Sequence, residues 1–169
     1  MTEKYLKKIK SLEEMMEISE GLKKQNLSLV ATGGCFDILH PGHLSSLYQT
    51  KELGDKSLVL LNSDKSVQIN KGPTRPIIPE VARAQMLAAF EFVDYVVIFD
   101  EKTPAEALDK IKPTHFCKGA DYDPKLGGKS MEEKEVTDKN GIEIVYIPLV
   151  ENNSTSMLIN KIVERMKDL

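Results

Sequence analysis

The sequence contains no Trp, only two Cys and three His, and carries a net charge of −3. Two cysteines cannot make a disulfide framework, so we expect reduced thiols and a cytoplasmic protein. Without a basic excess, nucleic acid is not an expected partner. There is no signal peptide and no apolar run of about 18 residues, so no membrane partner is expected. What is present is a chain of 169 residues, 41% hydrophobic and 29% charged, which can bury an ordinary core.

Apolar runs alternate with amphipathic stretches along the chain. Runs with the length of buried strands occur at 27–31, 56–61, 94–99, 114–118 and 142–147. Helical patterns separate them, so the sequence predicts an α/β fold: a Rossmann-like, doubly wound, parallel five-stranded sheet with flanking helices. In such sheets ligands bind beyond the carboxyl ends of the strands.

The chain is predicted to form a single globular domain overall, with an N-terminal amphipathic helix in residues 1–26 and the main α/β part in residues 27–169. Ser11 and Glu14 have the spacing of a capping box at the start of this helix. Its apolar side carries Met15 and is expected to pack on the sheet edge or on another subunit. A homodimer is therefore possible.

The most informative stretch is 32–43, T-G-G-C-F-D-I-L-H-P-G-H, which holds two of the three His. Gly33 and Gly34 are predicted to end a strand and to let the backbone approach a ligand. Pro41 is expected in the first turn of a helix, which places His43 near a helix N-terminus. Unpaired N–H groups and the helix dipole favour anionic oxygens there, so we predict phosphate binding.

Two other interpretations of the His pair stay open. Cys35, His40 and His43 are possible zinc ligands, but zinc sites usually show closer Cys/His pairing and a second ligand pair. The remaining His115 and Cys117 form no such pair. The two imidazoles could also be purely structural. Phosphate binding is the favoured interpretation, and no metal site made of protein side chains is predicted.

The string from Gly34 to His43, G-x-F-D-I-L-H-x-G-H, resembles the H-x-G-H signature of the nucleotidylyltransferase superfamily. Its Rossmann-like domains transfer a nucleoside monophosphate from an NTP to an acceptor. Four more strings follow in the order found in adenylyltransferases that activate heptose 1-phosphate. They are N-S-D at 62–64, K-G-x-x-R-P-I at 71–77, K-G-x-D-Y at 118–122 and S-T-S at 154–156. The resemblance covers the chain from about residue 27 to the last helix.

The resemblance implies that an acceptor phosphate oxygen attacks the α-phosphorus of an NTP and that pyrophosphate leaves. The implied catalytic residues are His40, His43 and Lys71, and Mg²⁺ is expected to accompany the nucleotide. Arg75 is expected at the acceptor or in a structural role, and Arg83 in a supporting role. The implied nucleotide-binding residues are Gly33, Gly34, Cys35, Phe36, Asp37, Pro41, Gly42, Asn62, Asp64, Lys118, Gly119, Asp121, Asn153, Ser154, Thr155 and Ser156.

The leading hypothesis is transfer of AMP from ATP to D-glycero-D-manno-heptose 1-phosphate, giving ADP-heptose and pyrophosphate. ATP is favoured over CTP because Glu91 stands where cytidylyltransferases of the superfamily commonly carry Arg, in an R-Y-V-D segment. One alternative is a cytidylyltransferase acting on glycerol 3-phosphate or a related small molecule. Another is a nucleotide-binding regulator without turnover.

Three local predictions bear on the site. The Pro- and Gly-rich segment 70–79 is predicted to be a lid that closes over the triphosphate. Thr103 is expected to cap a helix whose first turn contains Pro104. Residues 131–140 are predicted to form a polar helix that ends at Gly141.

Overall fold

Six strands form one sheet in the part of the chain that the structure describes, residues 3–150 and 154–167 of a computed structural model. They are β1 (Ile9–Lys10), β2 (Leu29–Gly34), β3 (Lys56–Asn62), β4 (Tyr95–Phe99), β5 (His115–Gly119) and β6 (Glu143–Ile147). All pairings are parallel, in the order β1-β4-β3-β2-β5-β6. The parallel Rossmann-like sheet is confirmed. The predicted count of five strands is one short, because the two residues of β1 carry no periodic pattern.

Seven α-helices connect and flank the strands in the described residues. They are α1 (Leu12–Lys24), α2 (Pro41–Glu52), α3 (Asp64–Lys71), α4 (Glu80–Ala89), α5 (Ala105–Ile111), α6 (Lys134–Asn140) and α7 (Thr155–Met166). Short 3₁₀ turns occupy Lys4–Lys8, Ala120–Tyr122 and Pro124–Leu126. Within these ranges no helix combines the length and the hydropathy needed to cross a bilayer.

The central strand β3 shows why the sheet is covered on both faces. Successive side chains of a strand point to opposite faces. Leu58 and Leu60 pack into the core formed with α1 and α5, whereas Val59 and Leu61 pack into the core formed with α2 and α4. All four are buried, and each such burial stabilises the fold by about 1.5–3 kcal/mol. A continuous apolar run is therefore what this position in the sheet requires.

The N-terminal helix is part of this core. Ser11 Oγ accepts a hydrogen bond from the Glu14 backbone N–H at 3.1 Å, and the Glu14 carboxylate accepts one from the Ser11 N–H at 2.8 Å, so the predicted capping box is confirmed. Met15 is fully buried, and α1 packs against α5. Its own chain therefore covers the side of α1 that carries Met15, and a homodimer stays a prediction.

Three boundaries differ from the predicted ones. Strand β2 covers Leu29–Gly34 rather than 27–31, and Gly33 and Gly34 end it, as predicted, while they pair with Leu60 and Leu61 of β3. Thr103 does not cap α5; Pro104 occupies the N-cap position and no side chain caps the helix. The helix predicted over 131–140 begins only at Lys134, with Glu133 as its N-cap. Gly141 ends it in the left-handed conformation, as predicted.

Candidate functional site

A cleft of about 930 Å³ opens at the carboxyl ends of β2 and β5. These two strands are neighbours in the sheet, but the chain proceeds from β2 toward β3 and β4 on one side and from β5 toward β6 on the other. The cleft therefore lies at the point where the strand order reverses, which is where ligands bind in open α/β sheets.

The cleft brings together most of the residues that the sequence singled out. Those in its lining are Gly33, Gly34, Cys35, Phe36, Asp37, His40, Gly42, His43, Asn62, Lys71, Arg75, Lys118, Gly119, Ser154, Thr155 and Ser156. Those outside the lining are Pro41, Asp64, Arg83 and Asp121. Asn153 lies outside the described residues. The nucleotide-binding role of all these residues stays a prediction.

His40 and His43 lie at the N-terminus of α2. His40 is the N-cap residue and Pro41 the first helical residue, as expected. The two imidazole rings stack with their centroids 3.8 Å apart, and the ring of Phe36 lies 5.1 Å from that of His43. In the described part of the chain, Nδ1 of each imidazole is buried and has no hydrogen-bond partner. Buried polar atoms are rarely left unpaired, so this pair is suited to a polar group from outside the chain.

Burial also sets the charge of the two rings. It lowers the pKa of His40. For His43, burial and then the neighbouring His40 lower the pKa to about 4. Both imidazoles are thus neutral at neutral pH in the ligand-free protein, and each acts as a neutral N–H donor rather than a cation.

Asp37, in the same motif, is satisfied by its own chain. Its carboxylate is 1% exposed and accepts hydrogen bonds from Arg75 Nε at 2.7 Å and from the backbone N–H groups of Ile77 and Ile78 at 2.9 Å each. Burial by itself raises the pKa of Asp37, but these hydrogen bonds and the guanidinium together hold it below its usual value. Asp37 therefore anchors the segment after α3, which no local pattern indicated.

Arg83 is fully buried and joins three parts of the site. Its guanidinium donates to the carbonyl oxygens of Cys35 at 2.5 Å, Asn62 at 2.8 Å and Ile78 at 2.8 Å, and to Asp64 Oδ1 at 2.8 Å. These contacts are those of a supporting residue, the role expected for it.

Asp64, one of the expected nucleotide-binding residues, joins the first turns of α3 and α4. Its Oδ1 accepts a hydrogen bond from the Glu80 backbone N–H at 2.9 Å, and the Glu80 carboxylate accepts one from the Asp64 N–H at 2.6 Å. The Asp64 carboxylate also pairs with Arg83, so its hydrogen bonds hold α3 and α4 together. This explains its absence from the cleft lining.

Lys71 is the last residue of α3, is exposed and forms no ion pair within the described residues. Neighbouring Asn70 Nδ2 donates to the Lys102 carbonyl at 2.8 Å, which ties the end of α3 to the segment after β4. The lid predicted over 70–79 is thus anchored at both ends, here and at Asp37. Between them, Gly72 donates a hydrogen bond to the Gln68 carbonyl at 2.9 Å and accepts one from the Arg75 N–H at 3.2 Å.

At the end of β5, the predicted site residue Lys118 meets charged groups that the sequence did not single out. Lys118 Nζ lies 2.8 Å from Glu133 Oε1 and 4.6 Å from the ring centroid of Tyr122. Next to them on the cleft rim, Glu132 pairs with Lys102 at 2.6 Å. Only the tertiary structure brings Glu132 and Glu133 to the cleft.

The remaining predicted residues are placed as follows. Ser154 caps α7 by accepting a hydrogen bond from the Met157 N–H at 3.2 Å, as predicted for the start of the last helix. Thr155 Oγ1 donates to the Ile38 carbonyl at 3.3 Å, which ties α7 to the His motif. Asp121 pairs with Lys129 at 2.8 Å, outside the cleft lining.

The zinc interpretation and the argument from Glu91 both lose support. In residues 3–150 and 154–167, no three His, Cys, Asp or Glu side chains are grouped to hold a metal ion, so nothing favours the zinc interpretation. Glu91 precedes β4, is exposed, and lies at the amino end of that strand, away from the cleft. The argument from Glu91 against CTP is therefore wrong in its physical basis.

Comparison with known proteins gives consistent matches. A family model described as cytidylyltransferase-like matches residues 31–164. "Bifunctional protein HldE" of Campylobacter jejuni subsp. jejuni serotype O:2 is 47% identical over 96% of this chain and 32% of its own. The protein of the same name from Syntrophotalea carbinolica is 39% identical over 95% of this chain and 32% of its own. This chain thus spans about a third of the length of these relatives.

A solved structure supports the fold assignment. The "lipopolysaccharide core biosynthesis protein from Thermoplasma volcanium GSS1" superposes with a TM-score of 0.57 and 28% identity, covering 75% of this chain and 99% of that one. The same parallel α/β architecture therefore occurs in an experimentally determined relative.

Proposed function

The chain belongs to the cytidylyltransferase-like family and is a nucleotidyltransferase, and on this premise we propose that it transfers AMP from ATP to a sugar phosphate. The proposed acceptor is D-glycero-D-manno-heptose 1-phosphate, and the products are ADP-heptose and pyrophosphate. The observation that carries the proposal is the stacked pair of His40 and His43, whose buried Nδ1 atoms lack partners at a helix N-terminus.

The reaction needs positioning and charge stabilisation rather than a covalent nucleophile. An acceptor phosphate oxygen forms a bond to the α-phosphorus as the bond to the pyrophosphate oxygen breaks. The neutral imidazoles of His40 and His43 donate hydrogen bonds to the phosphate oxygens on which negative charge develops. The N-terminus of α2 and the Lys71 ammonium add positive potential at the same place.

Mg²⁺ stays a prediction. Among the described residues no cluster of carboxylates would hold the ion on the protein, so we propose that it enters with ATP, bound by the phosphate oxygens. In that position it would offset triphosphate charge. The side chains of this chain would then bind those phosphate oxygens that the ion leaves free.

The sugar acceptor is supported by the comparisons only at the level of the relatives. The solved relative is named for lipopolysaccharide core biosynthesis, and such cores consist of sugars. The preference for ATP is supported by the strings at 71–77 and 118–122, which resemble those of heptose adenylyltransferases. The cleft volume lies within the range of small-molecule sites.

Pyrophosphate release measured with ATP, CTP and GTP against a panel of phosphorylated acceptors tests the proposal. We expect the highest kcat/KM with ATP and the heptose 1-phosphate. Higher kcat/KM with CTP and glycerol 3-phosphate would instead assign a cytidylyltransferase. ATP binding without turnover on any acceptor would assign a regulator.

A matched pair of variants tests the role of the His motif. His43→Ala should lower kcat by at least about 100-fold, because it removes a donor to the developing charge. His115→Ala is the control, since His115 begins β5 at the opposite end of the sheet, and it should keep near wild-type kcat. A folded His43→Ala variant with near wild-type turnover would refute the role.

A further inference from the structure

The ion pair at the end of β5 has an unusual feature. Glu133 is 3% exposed although it lines the cleft. Within the described ranges its carboxylate has one hydrogen-bond partner, Lys118 Nζ at Oε1, so Oε2 accepts no hydrogen bond from those residues. A carboxylate has about four lone-pair positions. A nearly buried carboxylate that faces a cleft with spare acceptor capacity is suited to a ligand that donates hydrogen bonds.

The charge of Glu133 is otherwise hard to reconcile with the proposed substrates. Both are polyanions, and a carboxylate close to Lys118 repels phosphate oxygens. Lys118 lies between the Glu133 carboxylate and the ring of Tyr122, which fixes the position of its ammonium. That ammonium has three N–H donors, of which the carboxylate uses one. The pair can therefore bind one phosphate oxygen at Lys118 and, beside it, a group that donates rather than accepts.

We propose that Lys118 and Glu133 form a subsite for a phosphorylated sugar. Lys118 binds an oxygen of the phosphate, and Glu133 accepts a hydrogen bond from a hydroxyl of the same sugar. The inference rests on the proposed function, in which both substrates are phosphorylated sugars: the ribose of the nucleotide and the acceptor. Glu133 is then a specificity-determining residue that selects for a hydroxyl.

The distances agree with this assignment. Nζ and Oε1 are 2.8 Å apart. A phosphate oxygen and a hydroxyl that each make an ordinary hydrogen bond to this pair would lie about 3–6 Å from one another. That is the separation between a phosphate oxygen and the hydroxyl on the next carbon of a sugar 1-phosphate; in ATP the hydroxyl nearest to the 5′-phosphate is the 3′-hydroxyl. A non-sugar phosphate without such a hydroxyl would leave the carboxylate unpaired beside the phosphate, which disfavours its binding.

Equilibrium binding by calorimetry, using ligands that lack one hydroxyl, tests the subsite in two arms. The nucleotide arm compares ATP with 2′-deoxy-ATP and 3′-deoxy-ATP. The acceptor arm compares the heptose 1-phosphate with its 2-deoxy analogue on protein saturated with α,β-methylene-ATP. For the substrate whose hydroxyl binds Glu133, we expect the wild-type protein to bind the deoxy ligand about 10–100-fold more weakly than the parent ligand. This is the loss typical of a hydrogen bond to a charged group.

Variants then show whether Glu133 is responsible. Glu133→Met removes the acceptor at similar size, and the preference for the hydroxylated ligand should fall to about 3-fold or less. The milder Glu133→Gln should give an intermediate ratio, which keeps the test valid if the Met variant does not fold. Glu135→Gln, an exposed residue of α6 outside the cleft, is the matched control and should keep the wild-type ratio.

Each outcome decides the inference. Equal weakening of the parent and deoxy ligands in the Glu133 variants would show a purely structural role and overturn it. A wild-type ratio near one in both arms would also overturn it. If the wild-type protein binds ATP but no sugar phosphate, the proposed acceptor is wrong, while the nucleotide arm still decides whether Glu133 binds a hydroxyl.

Discussion

Replacing Asp37 with Asn should weaken the hydrogen bonds and the ion pair that hold the segment after α3. The wild-type carboxylate accepts from Arg75 and from two backbone N–H groups. Asn has the same shape but only one acceptor oxygen. Its NH2 group would therefore face either the Arg75 guanidinium or the backbone N–H groups, which are hydrogen-bond donors themselves. Losing the charge leaves the Arg75 guanidinium, whose side chain is 15% exposed, without its counter-ion.

The magnitude follows from this geometry. Breaking a buried ion pair from one side costs about 3–5 kcal/mol, and the partial exposure of Arg75 favours the lower end, about 3 kcal/mol. For a chain of this size that corresponds to a fall in Tm of about 6–12 °C. With a typical urea m-value of about 2 kcal/mol/M, the unfolding midpoint should fall by about 1.5 M at unchanged m.

Urea unfolding at neutral pH is the assay, with Asp100→Asn as the control because Asp100 is exposed. The control should stay within about 0.5 kcal/mol of the wild-type protein. The pKa of Asp37 is lowered in the folded protein, so its contribution is present above the unfolded-state pKa of about 3.9 and is lost as the pH falls through the lower folded-state value. The difference between wild type and Asp37→Asn should therefore shrink below about pH 4. A loss under about 1 kcal/mol at neutral pH would refute the anchoring role.

Three more predictions concern single side chains. In imidazole NMR of the ligand-free protein, His43 should titrate with a pKa of about 4, and ATP should raise it; a ligand-free value near the ordinary one would contradict the burial of the ring. Arg83→Met should lower the free energy of unfolding in urea by about 3–5 kcal/mol, since it removes the counter-ion of Asp64 and the donor to three carbonyl oxygens, and a loss under about 1 kcal/mol would argue against its supporting role. Lys71→Ala should lower kcat by about 10²–10³ with unchanged stability, and Lys71→Arg should restore it only in part. Lys65→Ala, an exposed lysine of the same helix, should leave kcat unchanged, and full activity of Lys71→Ala would remove Lys71 from the mechanism.

The sequence predicted those parts of the fold that depend on near neighbours. Ser11 and Ser154 cap helices whose first turns follow them directly, and Gly141 ends α6 because it adopts the left-handed conformation. The apolar runs identified the buried strands because a strand covered on both faces has no polar alternation. The position of the site followed from the His motif and the rule that ligands bind at the carboxyl ends of strands.

The sequence could not predict which distant residues the charged side chains contact, even for Arg83, whose supporting role was expected. Asp37 binds residues about forty positions away, and Arg83 reaches back to Cys35 over a similar distance. Glu133 comes to the cleft through its ion pair with Lys118. Each of these side chains is charged and buried, and such burial requires a partner that a local pattern cannot reveal.

Hydrogen bonds hold the chain on either side of residues 72–74, at Asn70 and at Arg75, so this segment is a short linker. Lys71 and Arg75 are separated by three residues, which reach at most about 14 Å between the two Cα atoms at full extension. A larger swing of Lys71 toward a bound triphosphate would have to unwind the last turn of α3, which the Asn70 hydrogen bond to the Lys102 carbonyl opposes. The amplitude of closure is therefore limited by the end of α3, and glycines added at 72–74 would extend the reach of Lys71 only if that last turn also unwinds.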